Sequence, residues 1–594
     1  MLGLATKTRS GVWVAAGLAL ALGLAGITWG LPARWHPDEK ADVAAEMALA
    51  PRLRPDSFIN PSLPLYLMAP ALWLQARLAQ AGVLRERAAD ALLVGRALSA
   101  LAGAAAVYFL GRAALRTHPQ LGALPAFLLA LTQGAVNLCH FATPEAWLLL
   151  GTAATIALAL AHLRGEVPAG VLGLVLGLTV STKYTAPALL VPALAAVWLR
   201  ERPDRPPSRR RLWLAVIAGA LLAGGLALAL GGAAPLAARL HLEDARLLHP
   251  EHALRFVRAV QHALLAGGAG LALLVILAPR QRWAARLARE EVAAVIVAAA
   301  AGFVIGTPYA LLDPQAFLSD LAFNHQTRFE YKGLVGASTS YVAYLRLLAD
   351  ALTGPFFVAT AAGVVVATGR AVARDRAAVV LLSAFLAPYF LVASSGHQAL
   401  RFLAPVLPAA AWLAAMGLAV LPTAATRRAA ALLVLSRAAL GAVLVVRLFF
   451  VDSRLAARRW IEVHVPPGAT VDLIANNPGY APALPPGRTL RVVPTLGREM
   501  APRERFAEAA ARYPAEASPW LVLTASYYER FLEHPEQKPE RTAFFRDLLE
   551  GRGGFEVAAR FRQQGWLRPP VEFVDPEIVI LRKKQGADHG RKPF

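Results

Sequence analysis

The chain has 594 residues, 57% of them hydrophobic, and a formal net charge of +22. With a mean hydropathy of +0.47, it is not an ordinary soluble enzyme, whose surface would need more charge. Nor does the basic balance point to nucleic acid: Lys and Arg fall in short loops between apolar runs, and no basic face interleaved with aromatics appears.

In chain order, a short basic leader, "MLGLATKTRS", precedes an apolar run at 11–31. That run is too long for a cleaved signal and lacks a small-x-small site, so it reads as a retained first span. Further runs lie near 88–111, 121–139, 145–163, 168–182, 186–200, 212–234, 262–279 and 291–312. The last four lie near 350–368, 376–394, 401–421 and 428–451. With about twenty apolar residues needed to cross a bilayer, this makes about thirteen spans. Starting inside, each strongly basic loop then falls on the cytoplasmic side, including "RERPDRPPSRRR" at 200–211. The odd number leaves the C-terminal segment outside. The stretch 60–82 does not fit this frame as a span. Its prolines at 61, 64 and 70 are expected to break it into helices lying in the outer interface.

Two domains follow: a membrane part, 1–451, and an outer part, 452–594. The outer part is more charged and alternates strand-like and helix-like runs, which suggests a small α/β domain. "DSRLAARRWIEVHVPPGATVDLIA" reads as helix, turn and strand. "WLVLTASYYERF" and "PEIVILRKK" read as strands, with "RERFAEAAARY" and "RTAFFRDLLEG" as helices. The single cysteine, Cys139, excludes an intramolecular disulfide and a cysteine-based zinc site.

Chemistry gathers on the outward side. The acid pair Asp38 and Glu39, in "RWHPDEKADVAAE", follows the first span. Glu145 starts the span at 145–163, and Lys183 and Tyr184 lie in the turn "STKYTAP". The loop 313–341 offers His325, Arg328 and Lys332, and "SSGHQALRFLAPVLPA" offers His397 and Arg401. Each has an ordinary reading. The acid pair can be solvated loop charge, Glu145 a favourable charge at a helix N-terminus, and Lys183 a snorkelling side chain. Together they suit the transfer of a sugar from a lipid phosphate. Such a reaction needs a carboxylate to take the acceptor's proton and cations to offset charge growing on the leaving phosphate. A transporter or flippase is the alternative, but it would place ionisable groups near the bilayer midplane and commonly shows internal repeats. A non-catalytic binder of lipid-linked sugar is a third reading.

The order of "HPDE", "FINPSLPLYL", "FATPEAWLLL", "GLTVSTKYTAPALLVP", "GTPYALLDPQAF" and "LRFLAPVLPAAAWLAA" resembles the GT-C glycosyltransferases of the family 39 type. That family includes protein O-mannosyltransferases and lipid A aminoarabinose transferases. The resemblance implies an α-helical polytopic membrane protein with outer juxtamembrane helices and a C-terminal extracytoplasmic α/β domain. It implies an inverting transferase using a polyprenyl-phosphate sugar in a bacterial-type inner membrane, with its active site facing the periplasm. Asp38 matches the family's catalytic carboxylate, with Glu39 beside it. Glu145 matches a second acidic position, often Asp in relatives. Where relatives often carry a lysine that contacts the lipid phosphate, this chain has Asn60, which shifts phosphate binding to Lys183, Lys332 or Arg401. Some GT-C enzymes use a divalent metal at the acids. His36, Asp38, Glu39 and Glu145 offer ligands, but no spacing assigns one, so no cofactor is assigned and a divalent metal stays open. The expected partners are the lipid-linked sugar, membrane lipids and an acceptor left open among protein, lipid and glycan.

Overall fold

The computed structural model describes residues 9–50, 53–84, 90–201, 211–243, 250–277, 290–331, 334–335, 340–497, 503–562, 569 and 571–584. The chain forms two compact units. The first comprises Met1–Leu24, Lys40–Phe329 and Ser338–Ala442; the second comprises Ala25–Glu39, Glu330–Ala337 and Val443–Phe594.

The first unit is a helical bundle. Among the described residues, 7 helices are long and apolar enough to cross a membrane. Arg9–Leu24, Ala169–Val180, Ala186–Leu199 and Leu407–Ala419 are shorter apolar helices. Local chemistry sets several helix starts. Asp90 caps Ala91–Thr117 by accepting from the Leu92 N–H at 2.9 Å, and Asp375 caps Arg376–Ala393 through the Ala378 N–H at 3.2 Å. Pro144 opens Pro144–Leu163, where its missing N–H costs nothing. Every residue from Leu407 to Leu418 is buried, so that helix is apolar all round and lies inside the bundle. Its Trp412 indole N–H donates to His118 Nδ1 at 3.2 Å, satisfying the one polar atom of the ring.

Backbones approach closely at glycines. A Cβ on Gly177 would sit 1.9 Å from the Ala299 carbonyl oxygen, and one on Gly173 would sit 2.4 Å from that of Val295. Ala169–Val180 and Glu290–Gly306 can therefore pack only with glycine at these positions, as small residues allow in membrane helix pairs. Gly363 repeats the device against the Leu413 carbonyl, where a Cβ would sit at 1.8 Å.

Three expected membrane segments differ in detail. The stretch at 60–82 is one helix, Leu63–Gln80, rather than fragments. Pro61 lies before it, Pro64 occupies its permissive first turn, and only Pro70 is interior. The run 121–139 splits into Leu124–Leu131 and Gln133–Cys139, because Thr132 turns to an extended ψ of 113° and its hydroxyl donates back to the Leu128 carbonyl at 2.7 Å. The span expected from 401 begins its α-helix at Leu407, after a single 3-10 turn at Leu400–Leu403, with Pro408 in its first turn.

The second unit carries a five-stranded mixed sheet in the order Thr489–Val492, Thr470–Leu473, Trp520–Thr524, Ile578–Lys583, Phe555–Phe561. The first three strands are parallel and the last two antiparallel to their neighbours. Leu521, Val522, Leu523 and Ile578 to Leu581 are fully buried, which is the pattern of central strands covered on both faces. Of the "WLVLTASYYERF" stretch only Trp520–Thr524 is strand. Ala525–Glu533 is a helix that buries Ala525, Tyr527, Tyr528 and Phe531 on one stripe. The strands Thr489–Val492 and Phe555–Phe561 carry no clear strand signal in the sequence, because both are edge strands with partly polar faces.

Asp472 lies directly opposite Arg491 in the parallel ladder. Its carboxylate accepts from Arg491 Nε and Nη2 at 2.7 Å each, Tyr513 OH at 2.9 Å and Ser518 N–H at 3.0 Å. Burial works to raise its pKa, but these bonds outweigh it and hold the carboxyl below the usual carboxylate range.

Two expectations follow. Gly177→Val should lower the thermal unfolding temperature in detergent, with overpacking costing about 1–3 kcal/mol or more. Asp472→Asn should destabilise the second unit by about 1.5–3 kcal/mol at neutral pH. Because the folded-state pKa is depressed, the stabilisation is complete above the unfolded value of ~3.9 and is lost as pH falls through the folded one. Parent and variant unfolding, followed by tryptophan fluorescence, should therefore converge on acidification.

Candidate functional site

In the first unit, Glu145 occupies the first turn of Pro144–Leu163, and Lys183 the turn after Ala169–Val180. Their side chains are 5% and 9% exposed, and Lys183 Nζ donates to Glu145 Oε1. Thr143 donates a second hydrogen bond to the carboxylate, and Arg401 lies within electrostatic reach of it. A buried carboxylate is tolerated only when paired and hydrogen-bonded, and this one is both.

The Phe402 ring organises the cations. Lys183 Nζ lies 5.1 Å and Arg401 Cζ 5.7 Å from its centroid. The His397 ring meets it edge-on at 5.0 Å, and the His397 carbonyl accepts from Tyr344 OH at 2.7 Å. An aromatic face attracts cations, so one ring fixes two of them. Glu145, Lys183, His397 and Arg401 are thus brought together. One carboxylate and two cations meet at one aromatic ring.

A second cluster straps the segment around Asn60 onto the helix Pro314–Phe329. Phe58 N–H donates to Asp320, and Asn324 Nδ2 donates to the Ile59 carbonyl at 2.7 Å. Tyr184 OH donates to the Phe58 carbonyl at 2.9 Å. Burial and the Asp320 charge push the Tyr184 phenol well above its usual pKa, so it remains a donor. Arg54 pairs with Asp313 at 2.6 Å and holds that carboxyl below its usual range. Tyr184, Asp320 and Asn324 therefore clamp the backbone of Phe58 and Ile59, the two residues before Asn60. His325 lies on the same helix with its ring 5.8 Å from Phe256. The Arg328 side chain and Lys332 lie outside the described residues.

Reading the sequence missed Thr143, Asp320, Asn324 and Phe402. The sequence places Asp320 and Asn324 in a loop, 313–341, that stands out only for His325, Arg328 and Lys332, whereas the structure puts both on the helix Pro314–Phe329. Phe402 had one available signal, its position beside Arg401.

Asp38 and Glu39 belong to the second unit. Asp38 is exposed and Glu39 partly so. The Asp38 N–H donates to His36 Nδ1 at 3.1 Å, and the buried His36 ring lies 4.5 Å from Phe573. With Nδ1 accepting, the neutral ring carries its proton on Nε2. In the first unit, the next residue, Lys40, donates its N–H to the Ala142 carbonyl at 3.1 Å and pairs with Asp56 at 3.3 Å. Among the described residues no three His, Cys, Asp or Glu side chains gather as metal ligands. Glu145, one of the ligands the sequence offers, is engaged by Lys183.

No family model matches the chain, and no curated protein matches it. Among solved structures it is similar to the archaeal oligosaccharyltransferase AglB from Archaeoglobus fulgidus, in complex with an inhibitory peptide and a dolichol-phosphate. That match has 14% identity over 88% of this chain and 71% of that one, with a TM-score of 0.47. It is also similar to ArnT from Cupriavidus metallidurans bound to undecaprenyl phosphate. Here identity is 13% over 96% of this chain and 98% of that one, with a TM-score of 0.44.

The buried pair makes a test. Lys183→Met should cost about 3–5 kcal/mol by leaving Glu145 uncompensated. Adding Glu145→Gln should recover much of that loss, a coupling of about 1–3 kcal/mol in a double-mutant cycle read from thermal unfolding in detergent.

Proposed function

We propose that the chain is an integral membrane glycosyltransferase. It moves a sugar from a polyprenyl-phosphate donor to an acceptor hydroxyl on the outer face of a bacterial-type inner membrane. The observation that carries this reading is the grouping of Lys183, Arg401 and His397 around Phe402, beside a Glu145 already neutralised by Lys183. Cations fixed at the head of apolar helices are what a phosphate on a long isoprenoid requires.

In this mechanism Asp38 takes the proton from the acceptor hydroxyl as the oxygen attacks the anomeric carbon. The new glycosidic bond forms as the bond from that carbon to the phosphate oxygen breaks, with inversion. The electron pair leaves on the polyprenyl phosphate, and the positive groups offset the charge that grows there. The leaving group is already an anion and needs no proton. Asp38 suits the base role because it is exposed and follows a backbone turn fixed by His36. Glu39 is assigned to orienting Asp38. Glu145, engaged by Lys183, is assigned to anchoring that cation beside the phosphate. Asn60, Tyr184 and His325, with Arg328, are assigned to lining the donor groove, and Lys332 to holding the phosphate with Lys183, His397 and Arg401. No step passes through a metal.

Purified protein reconstituted with a polyprenyl-phosphate hexose or pentose, and with a cell-envelope extract as the source of acceptor hydroxyls, should release polyprenyl phosphate, read by mass spectrometry. Asp38→Asn should reduce that turnover by about 10²–10⁴-fold, the usual worth of a general base, while donor affinity stays near the parent's. Normal turnover in the variant would remove Asp38 from this role. Comparing lipids and surface glycans of cells with and without the protein would identify the sugar and acceptor.

A further inference from the structure

The second unit contains a stretch far removed in sequence from its sheet: Ala25–Glu39, which includes the acid pair. The sheet explains where that stretch sits. From Thr470–Leu473 the chain moves to the strand on one side, Thr489–Val492, and then to the strand on the other, Trp520–Thr524. Such a reversal opens a crevice at the C-terminal ends of parallel strands, which is the usual ligand position of open α/β sheets. Gly479 follows the Thr470–Leu473 strand at that end. Asp575 precedes Ile578–Lys583, whose Ile578 pairs with Thr524, so it lies at the same end.

Residues 29–38 occupy this end. A Cβ on Gly479 would sit 2.9 Å from the Arg34 carbonyl oxygen. The Arg454 side chain, 0% exposed, lies 4.5 Å from the Trp35 ring and 5.1 Å from that of Trp29. It forks onto Asp452 with two bonds of 2.9 Å, and Asp452 also accepts from Trp29 Nε1 at 3.1 Å and Asp575 N–H at 2.8 Å. Arg454 donates further to the Phe573 carbonyl at 2.7 Å, and the Phe573 ring packs on His36, which holds the Asp38 N–H. Three non-glycine residues here have left-handed backbones: Arg34 at φ 55°, Phe573 at φ 63° and Asp575 at φ 52°. Strain of this kind persists only where surrounding contacts impose it.

We propose that the α/β unit binds the acid loop as a ligand in cis, at the crevice where such a sheet would otherwise take a small molecule. Arg454 and Phe573 act as positioning residues that set the direction of Asp38. The link to Asp38 chemistry rests on the transferase reading above; the docking itself does not.

The test uses the full-length protein in detergent, with two variants, Phe573→Ala and Gly479→Ala. The first removes the ring under His36; the second pushes on the Arg34 carbonyl without cutting the unit's core. Trypsin cleavage after Arg34 is followed by mass spectrometry, with cleavage after Arg512 as the control that the sheet remains folded. Docking predicts that both variants raise Arg34 cleavage by about tenfold or more, because cleavage requires local opening, while Arg512 cleavage stays unchanged. Positioning predicts that turnover of a polyprenyl-phosphate sugar falls by about tenfold or more in kcat with donor KM near the parent's, as misplacement of a reacting group does. Unchanged Arg34 cleavage would overturn the docking. Raised cleavage with unchanged kcat would overturn the positioning role. If the parent itself transfers no sugar, the functional reading fails, and the cleavage arm still decides the docking.

Discussion

A carboxylate kept charged among apolar helices needs a cation in bonding contact, and Lys183 supplies it for Glu145. Much of the candidate site follows from this pairing. Phe402 gives Lys183 and Arg401 a common surface to rest on. The pair also ties the start of Pro144–Leu163 to the turn after Ala169–Val180, so chemistry and helix packing use the same bond. The second unit repeats the logic with Arg454 and Asp452, both fully buried and each satisfied by several partners. In both places the polar groups specify one arrangement where apolar contacts alone would permit several.

Elsewhere the bundle relies on shape. Gly173, Gly177 and Gly363 allow helix backbones to touch where any side chain would collide with a carbonyl. In an apolar solvent, burial of hydrocarbon between helices gains little, so close packing must supply the attraction. This gives the glycines among the apolar runs a structural reason beyond helix propensity.

Much of this was legible in the chain. Long apolar runs gave the helices, and prolines gave several of their starts. The residue types at 38, 39, 145, 183, 397 and 401 stood out because charge is costly near apolar segments. What remained hidden were the pairings. Nothing local says that Lys183 reaches Glu145, or that a phenylalanine collects the cations. Three prolines in 60–82 suggest broken helices only if all are interior, whereas Pro64 falls where proline is harmless. "ASYYERF" looked like strand because its aromatics favour sheet. Its buried stripe follows a helical period instead. The role of Arg454 was least visible, since Trp29 and Trp35 are separated from it by most of the chain.

The discontinuity of the second unit also bears on biogenesis. Ala25–Glu39 leaves the ribosome long before Val443–Phe594 exists. At ~5–20 residues per second, the interval is on the order of a minute. Through that time Trp29 and Trp35 have no guanidinium to stack on, and the acid pair has no fixed direction. The nascent protein can insert its helices in order, but the acid loop acquires its final form only after translation of the last strands. A chain truncated near its C-terminus would therefore reach the membrane with its bundle built and that loop unanchored.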